Sequence, residues 1–502
     1  MGRSRAKRAG DGLSPMRRLA CLSAVLALAA AAGAVCAQQA APQTPQPETK
    51  PPTSEGPQQP GAGAQVHTGT ASGLDADARL QNLLADHQFV RLERQLDQLP
   101  PRQAQFYRGI LANRDNDLKR SIELLEPLVN EVTASGNLAH EKQLRKALAE
   151  DYLRSGDWAK AANMYQALET RLQGKLSGDE QDEIEMPLKM LPLAQGNPPM
   201  TVDPCGAFEL QVSKNPLGLT DIPVFVDARP HSWMLDPTAP FNLIARSLAK
   251  EAGLKVSEDA VTIHTLRGRP IEVHATVIPR FTIGGQLTLH NMTAFVFEDA
   301  DYFFPLTHYQ VQGVLGYAAL EALDSLTVTD NDTVYIQPNG IEPNGAQADK
   351  QAGGVRFYLD GDQVIVALGG AGVAIGGSPP EADRGDERMF AIDAGGQQTY
   401  LTSRYYDEHS ADFAGQTMQL YTFRGLQATA PVAAYTAETV PLTVATTTIQ
   451  FHFMPVLTQP LGSAALDDVY GLLGVDALDQ LGSYTFDYRT MRFSVRLSEA
   501  RD

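Results

Sequence analysis

The second half of this chain repeats itself, and that repetition constrains the fold more than any other feature. Asp236 ends "SWMLD" and Asp393 ends "RMFAID", 157 residues further on. Six residues after each aspartate begin Asn242-Leu243-Ile244 and Thr399-Tyr400-Leu401. Thirty-two residues after each comes a glycine, Gly268 in "HTLRG" and Gly425 in "YTFRG", both within Thr-x-Arg-Gly. Seventy-seven and 78 residues after each come "GVLGYAAL" and "GLLGVDAL". Paired strand-like runs, "SLTVTDNDTVYI" and "SYTFDYRTMRFSV", close the two copies. Four landmarks recurring in order at matched spacing point to an internal duplication.

One copy has a physical reading. A strand delivers a carboxylate into a tight turn of small residues, and a helical segment covers it. A Thr-x-Arg-Gly hairpin can fold over the turn. A Gly-apolar-apolar-Gly strand then approaches the backbone closely. Taken alone, either aspartate reads as a helix N-cap or Asx-turn residue. Taken as a pair about an approximate two-fold axis, Asp236 and Asp393 come face to face. Two such carboxylates share a proton, one serving as base and the other as acid. A water held between them becomes a nucleophile towards a carbonyl.

These motifs resemble retropepsin-like aspartic proteases over about residues 205–498. The resemblance implies a mainly-β, bilobed acid-protease (retropepsin/pepsin-like) fold with two pseudo-symmetric lobes in one chain. It implies Asp236 and Asp393 as the catalytic dyad, in active-site turns formed by Pro237, Thr238, Ala239 and by Ala394, Gly395, Gly396. Arg267, Gly268, Arg424 and Gly425 are candidate flap residues over a peptide cleft. Four positions depart from the family pattern. Pro237 and Ala394 stand where the family has a Thr or Ser whose hydroxyl braces one lobe against the other, so that brace is expected to be missing. Thr238 stands where the family has glycine; Gly395 keeps it. Asp476 matches the family, whereas Ala318 does not.

The remainder of the chain divides by composition. Arg17 and Arg18 precede a 17-residue, largely apolar run that leads into the cleavage site Val35-Cys36-Ala37, so residues 1–37 read as a cleaved signal peptide. Residues 38–73, rich in Pro and Gln, read as a disordered linker. Residues 74–175 read as an α-helical repeat or bundle. Ala149, Tyr152, Gly156, Ala161 and Tyr165 are placed as in a tetratricopeptide hairpin, and Gly109 and Leu125 play the matching roles in a second unit. Residues 176–204 read as a linker, 205–339 as the first lobe, 340–354 as a linker and 355–502 as the second lobe.

Composition narrows the chemistry. Lys and Arg number 41 against 59 Asp and Glu, a net charge of −18, which repels nucleic acid and anionic lipid. Two of the three cysteines, Cys21 and Cys36, fall in the signal peptide, leaving Cys205 and no internal disulfide. The histidines lack metal-ligand spacing, "GGAGVAIGG" lacks a phosphate-loop lysine, and no G-x-S-x-G elbow occurs. No metal or cofactor is expected. The expectation is an exported aspartic endopeptidase, periplasmic or secreted, monomeric because both lobes share a chain, with a peptide or protein substrate. No stable membrane span is expected after signal cleavage, and the helical domain offers a site for a protein partner. The alternative is a catalytically impaired protease-like peptide-binding or cell-envelope scaffold protein.

Overall fold

The computed structural model describes residues 69–264, 270–338, 354–361, 363–369, 388–424, 426, 431–445, 447–461 and 468–496. The expected signal peptide, nearly all of the 38–73 tether and nearly all of the 340–354 linker lie outside these residues.

Helices occupy Gly69–Ala85 through Gly178–Gln195. Two hairpins dominate, Pro101–Arg114 with Leu118–Leu125 and Leu138–Arg154 with Trp158–Arg171. Their turns match bond for bond. Asn116 and Gly156 both adopt positive φ. The amides of Asp117 and Asp157 donate to Ala112 O and Tyr152 O, each at 2.9 Å. The carboxylates of Asp117 and Asp157 then cap the following helices, accepting from the amides of Arg120 and Lys160 at 3.2 Å. Between the paired helices a Cβ on Gly109 would stand 2.4 Å from Leu125 Cδ2, so only glycine permits that approach. Tyr152 and Tyr165 fill the groove and are buried.

Residues 176–204 differ from the expected linker. Gly178–Gln195 is an 18-residue helix that contains Pro187 and Pro192. Proline removes a helical hydrogen bond, but burial outweighs that cost here. Ile184 and Leu191 are buried in the helical core, while Met186 and Met190 pack against the β core.

The β region follows, and its two halves use the same pairings. In the first, the aspartate strand Arg229–Leu235 pairs parallel with Gly313–Leu315, which pairs antiparallel with Leu243–Ala245. Leu243–Ala245 pairs parallel with Leu287–Phe297. In the second, Arg388–Ile392 pairs parallel with Gly471–Leu473, that strand antiparallel with Tyr400–Leu401, and Tyr400–Leu401 parallel with Thr447–Leu457. A long hairpin completes each half, Pro270–Ile283 with Leu287–Phe297 and Val432–Val444 with Thr447–Leu457.

The closing hairpins of the halves meet in one sheet. Leu323–Val328 pairs antiparallel with Ser483–Asp487, with Leu326 opposite Phe486. Thr333–Pro338 and Phe208–Gln211 extend this sheet on one side, and Arg492–Arg496 and Val355–Asp360 on the other. The strand Gln363–Leu368 is buried throughout. Its even positions, Val364, Val366 and Leu368, face the β core, while Ile365 and Ala367 meet the helices, as a period of two requires. Phe89 meets Tyr358 across the same contact, with ring centroids 4.8 Å apart and the planes tilted by 59°. Asp360 joins the two regions, pairing with Arg114 at 2.7 Å and His87 at 2.8 Å. Among the described residues, no helix is long and apolar enough to cross a membrane.

Candidate active site

Each aspartate is set by the same backbone frame. The amide of Asp236 donates to Leu315 O at 3.0 Å, and that of Asp393 to Leu473 O at 2.9 Å. The turns then close, Ala239 N onto Asp236 O and Gly396 N onto Asp393 O. The Gly-apolar-apolar-Gly strands lie against these turns so tightly that side chains are excluded. A Cβ on Gly316 would stand 2.3 Å from Phe241 O, and one on Gly474 2.7 Å from the carbonyl carbon of Gln398.

The two turns meet. Asp236 and Asp393 are 5% and 7% exposed, so both carboxyls lie out of bulk water. They flank Gly395: a Cβ there would stand 2.9 Å from Asp236 Oδ2 and 3.4 Å from Asp393 Oδ1. Asp236 Oδ1 accepts from the Thr238 hydroxyl at 2.7 Å, the Thr238 amide at 3.0 Å and the Ala239 amide at 3.1 Å. Asp393 Oδ1 accepts from the Gly395 amide at 3.1 Å. Burial, and then the neighbouring charge of Asp393, push the Asp236 carboxyl up to about 6 against those hydrogen bonds.

The expected loss of the cross-brace is corrected by Thr238. Its hydroxyl accepts from the amide of Ala394 at 3.2 Å, linking one turn to the other. The hydroxyl has moved one residue along the turn. The opposite connection would run from Gly395, which has no hydroxyl, to Pro237, which has no N–H. Pro237 therefore leaves no buried donor orphaned. Thr238 also supplies the amide that a glycine would have offered the carboxylate.

The departure at Ala318 has a similar answer. In the second half Thr399 donates to Asp476 at 2.6 Å, and its hydroxyl accepts from Gly474 N at 2.9 Å. In the first half Asn242 does the same work alone, accepting from Gly316 N and donating to Thr293 O, both at 3.0 Å. Sequence reasoning used Asn242 and Thr399 only as landmarks. The available signal was a polar residue held at the same offset in both copies.

Arg267, Gly268 and Gly425 lie outside the described residues. Arg424 is exposed, and its backbone sits beside the second turn: Gln397 N donates to Arg424 O and Leu426 N to Gly395 O, each at 2.9 Å. Tyr400 is buried against Phe423, and the Tyr421 hydroxyl meets Thr436. No cluster of three or more metal-ligating side chains occurs among the described residues.

Comparisons with known proteins add the following. Residues 222–319 match the family model described as aspartyl protease. No protein of curated function matches the chain. Basic 7S globulin from soybean is similar in structure at 11% identity and a TM-score of 0.38, over 59% of this chain and 96% of that one. Conglutin gamma, a basic 7S globulin from lupine seeds, is similar at 10% identity and a TM-score of 0.36, over 59% and 96%. A retropepsin-like aspartic protease from Rickettsia conorii is similar at 18% identity and a TM-score of 0.20, over 28% and 96%. The chain thus carries an aspartyl-protease segment, which contains Asp236 and ends before Asp393.

Proposed function

We propose that this protein is an exported, single-chain aspartic endopeptidase whose two pseudo-symmetric lobes each supply one catalytic aspartate. One observation carries this reading: Asp236 and Asp393 flank Gly395 in two equivalent turns that Thr238 ties together. The matched strand pairings of the two halves support the bilobed arrangement. With one proton shared between the carboxyls, the ionised member takes a proton from a water held between them. That water attacks the scissile carbonyl. The protonated member donates to the carbonyl oxygen as the tetrahedral intermediate forms. The apolar N-terminal run supports export to the periplasm or medium. The helical hairpins are tetratricopeptide-like and offer a surface for a protein partner. The test is digestion of an unfolded protein at acidic pH by the wild type, Asp236→Asn and Asp393→Asn. Both substitutions abolish cleavage if the reading holds; equal activity in all three sinks it.

The one-sided brace favours a second reading, a catalytically impaired peptide-binding or cell-envelope scaffold protein. Thr238 braces the turns from the first half, whereas Gly395 has no hydroxyl to return the bond, and carboxylate geometry depends on such support. In that case pure wild-type protein binds peptides without cleaving them.

A further inference from the structure

Two positions break the internal repeats, and they touch each other. In the helical hairpins, Asn116 stands where the matching turn has Gly156, with φ values of 55° and 78°. Glycine takes that conformation freely and asparagine tolerates it, so the turn itself does not call for the Asn116 side chain. In the β halves, Tyr317 stands where the second copy has Val475. Their backbones do the same work: Tyr317 N donates to Ala239 O at 2.6 Å and Val475 N to Gly396 O at 2.8 Å. That bond needs no hydroxyl. Yet Asn116 Nδ2 donates to the Tyr317 hydroxyl at 3.3 Å, across 201 residues of sequence.

The orientation of the Asn116 amide is fixed by its other partner. Arg154 Nη1 donates to Asn116 Oδ1 at 2.9 Å. A guanidinium only donates, so Oδ1 must face Arg154 and Nδ2 must face Tyr317. Arg154 ends helix Leu138–Arg154, so both hairpins are gathered at this one amide. Tyr317 is buried, and its ring packs edge-on against Tyr488 of the second half, with centroids 5.6 Å apart. From Tyr317 the path to the candidate catalytic centre is two bonds long. Tyr317 N holds Ala239 O, and Ala239 N donates to Asp236 Oδ1 at 3.1 Å. Tyr317 thus touches the helical region, the second half and the first active-site turn. Val475, at the matching place beside the second turn, has no hydroxyl to offer.

We propose that Asn116 and Tyr317 are positioning residues, through which the helical hairpins hold the Asp236 turn in its reactive geometry. This rests on the endopeptidase reading, and the experiment separates the two. Three single variants are compared with the wild type. Asn116→Gly reproduces the Gly156 turn, so the hairpin keeps its fold while the tie is cut. Tyr317→Phe keeps the ring against Tyr488 and removes the hydroxyl. Asn116→Asp keeps the tie in reverse, since its carboxylate accepts from both Arg154 and the Tyr317 hydroxyl. Rates are read with a short peptide taken from the fragments that the protein releases from an unfolded substrate. Asn116→Gly and Tyr317→Phe each lower kcat by about 3- to 10-fold with KM unchanged, the size of effect that residues coupled to a site exert on it. The double variant is no slower than either single one, because both remove the same bond. Asn116→Asp retains most of the wild-type rate. Unchanged kcat in both single variants overturns the proposal, as does a double variant whose losses multiply or an Asn116→Asp as slow as Asn116→Gly. If the wild type cleaves no peptide, the endopeptidase reading fails and the tie is judged by hydrogen exchange. Residues 236–245 then exchange about 3- to 10-fold faster in Asn116→Gly and Tyr317→Phe than in the wild type, while helix Leu118–Leu125 exchanges as before. Equal exchange over residues 236–245 overturns the proposal.

Discussion

The Thr238 hydroxyl donates to Asp236 at 2.7 Å and accepts from the amide of Ala394 at 3.2 Å, so one side chain fixes a carboxylate and joins the two turns. Thr238→Val keeps the shape and removes both bonds. It leaves the buried Ala394 N–H unpaired, which costs about 1–3 kcal/mol. Thermal unfolding of Thr238→Val at pH 5 shows that loss, and peptide cleavage falls with it. Thr238→Ser retains the hydroxyl and restores most of both. Equal melting of wild type and Thr238→Val would show that the bridge contributes nothing.

The raised Asp236 carboxyl sets a stability window. Its value rises from 3.8 to about 6 on folding, chiefly through burial. The folded chain therefore holds this proton more tightly than the unfolded chain. The resulting stabilisation is complete below pH ~4 and is lost as pH rises through about 6. Asp236→Asn, which stays neutral, gains on the wild type across that window by on the order of 3 kcal/mol. Melting temperatures of both proteins from pH 4 to pH 7 test this. A constant difference between them contradicts the proton linkage. Cleavage, if it needs the shared proton, falls over the same interval.

How far the site is legible in the sequence follows from these contacts. The aspartate turns and the Gly-apolar-apolar-Gly strands can be found because side chains are forbidden or demanded there at fixed spacing. Thr238 cannot be found that way. Its value depends on which backbone amides face each other across the halves, and that is set only when the chain closes. The pairing of Pro237 with Gly395 is compensation of the same kind, since neither needs the bond that the other lacks. The helix over residues 178–195 is hidden for another reason. Two prolines signal a break, and only the burial of Ile184 and Leu191 explains why the helix persists.

Gly395→Ala separates geometry from stability. A Cβ there would stand 2.9 Å from Asp236 Oδ2, too close for both atoms to keep their places. The carboxylate is the softer partner and moves. Displacing a reacting group by an ångström costs about 100-fold in rate. The expected result is a loss of that size in kcat with a melting temperature close to wild type. A variant that unfolds would instead place the strain in the backbone.

Asp360 provides a pH test of opposite sign, far from the aspartate pair. Arg114 and His87 hold its carboxyl well below the usual carboxylate range, against the opposing effect of burial. A lowered value means that the folded chain releases this proton more readily than the unfolded chain. The stabilisation is present above pH ~4 and is lost as pH falls below it. Asp360→Asn removes the charge and leaves Arg114, only 13% exposed at its side chain, without this partner. The variant therefore melts below the wild type at pH 7, and the gap narrows as the pH is lowered past about 4. Because Asp360 links the helices to Val355–Asp360 of the second half, the same substitution loosens the contact between Phe89 and Tyr358. Faster hydrogen exchange in both Phe89–Gln95 and Val355–Asp360 would register that loosening; protection unchanged in both would confine the effect to the ion pair itself.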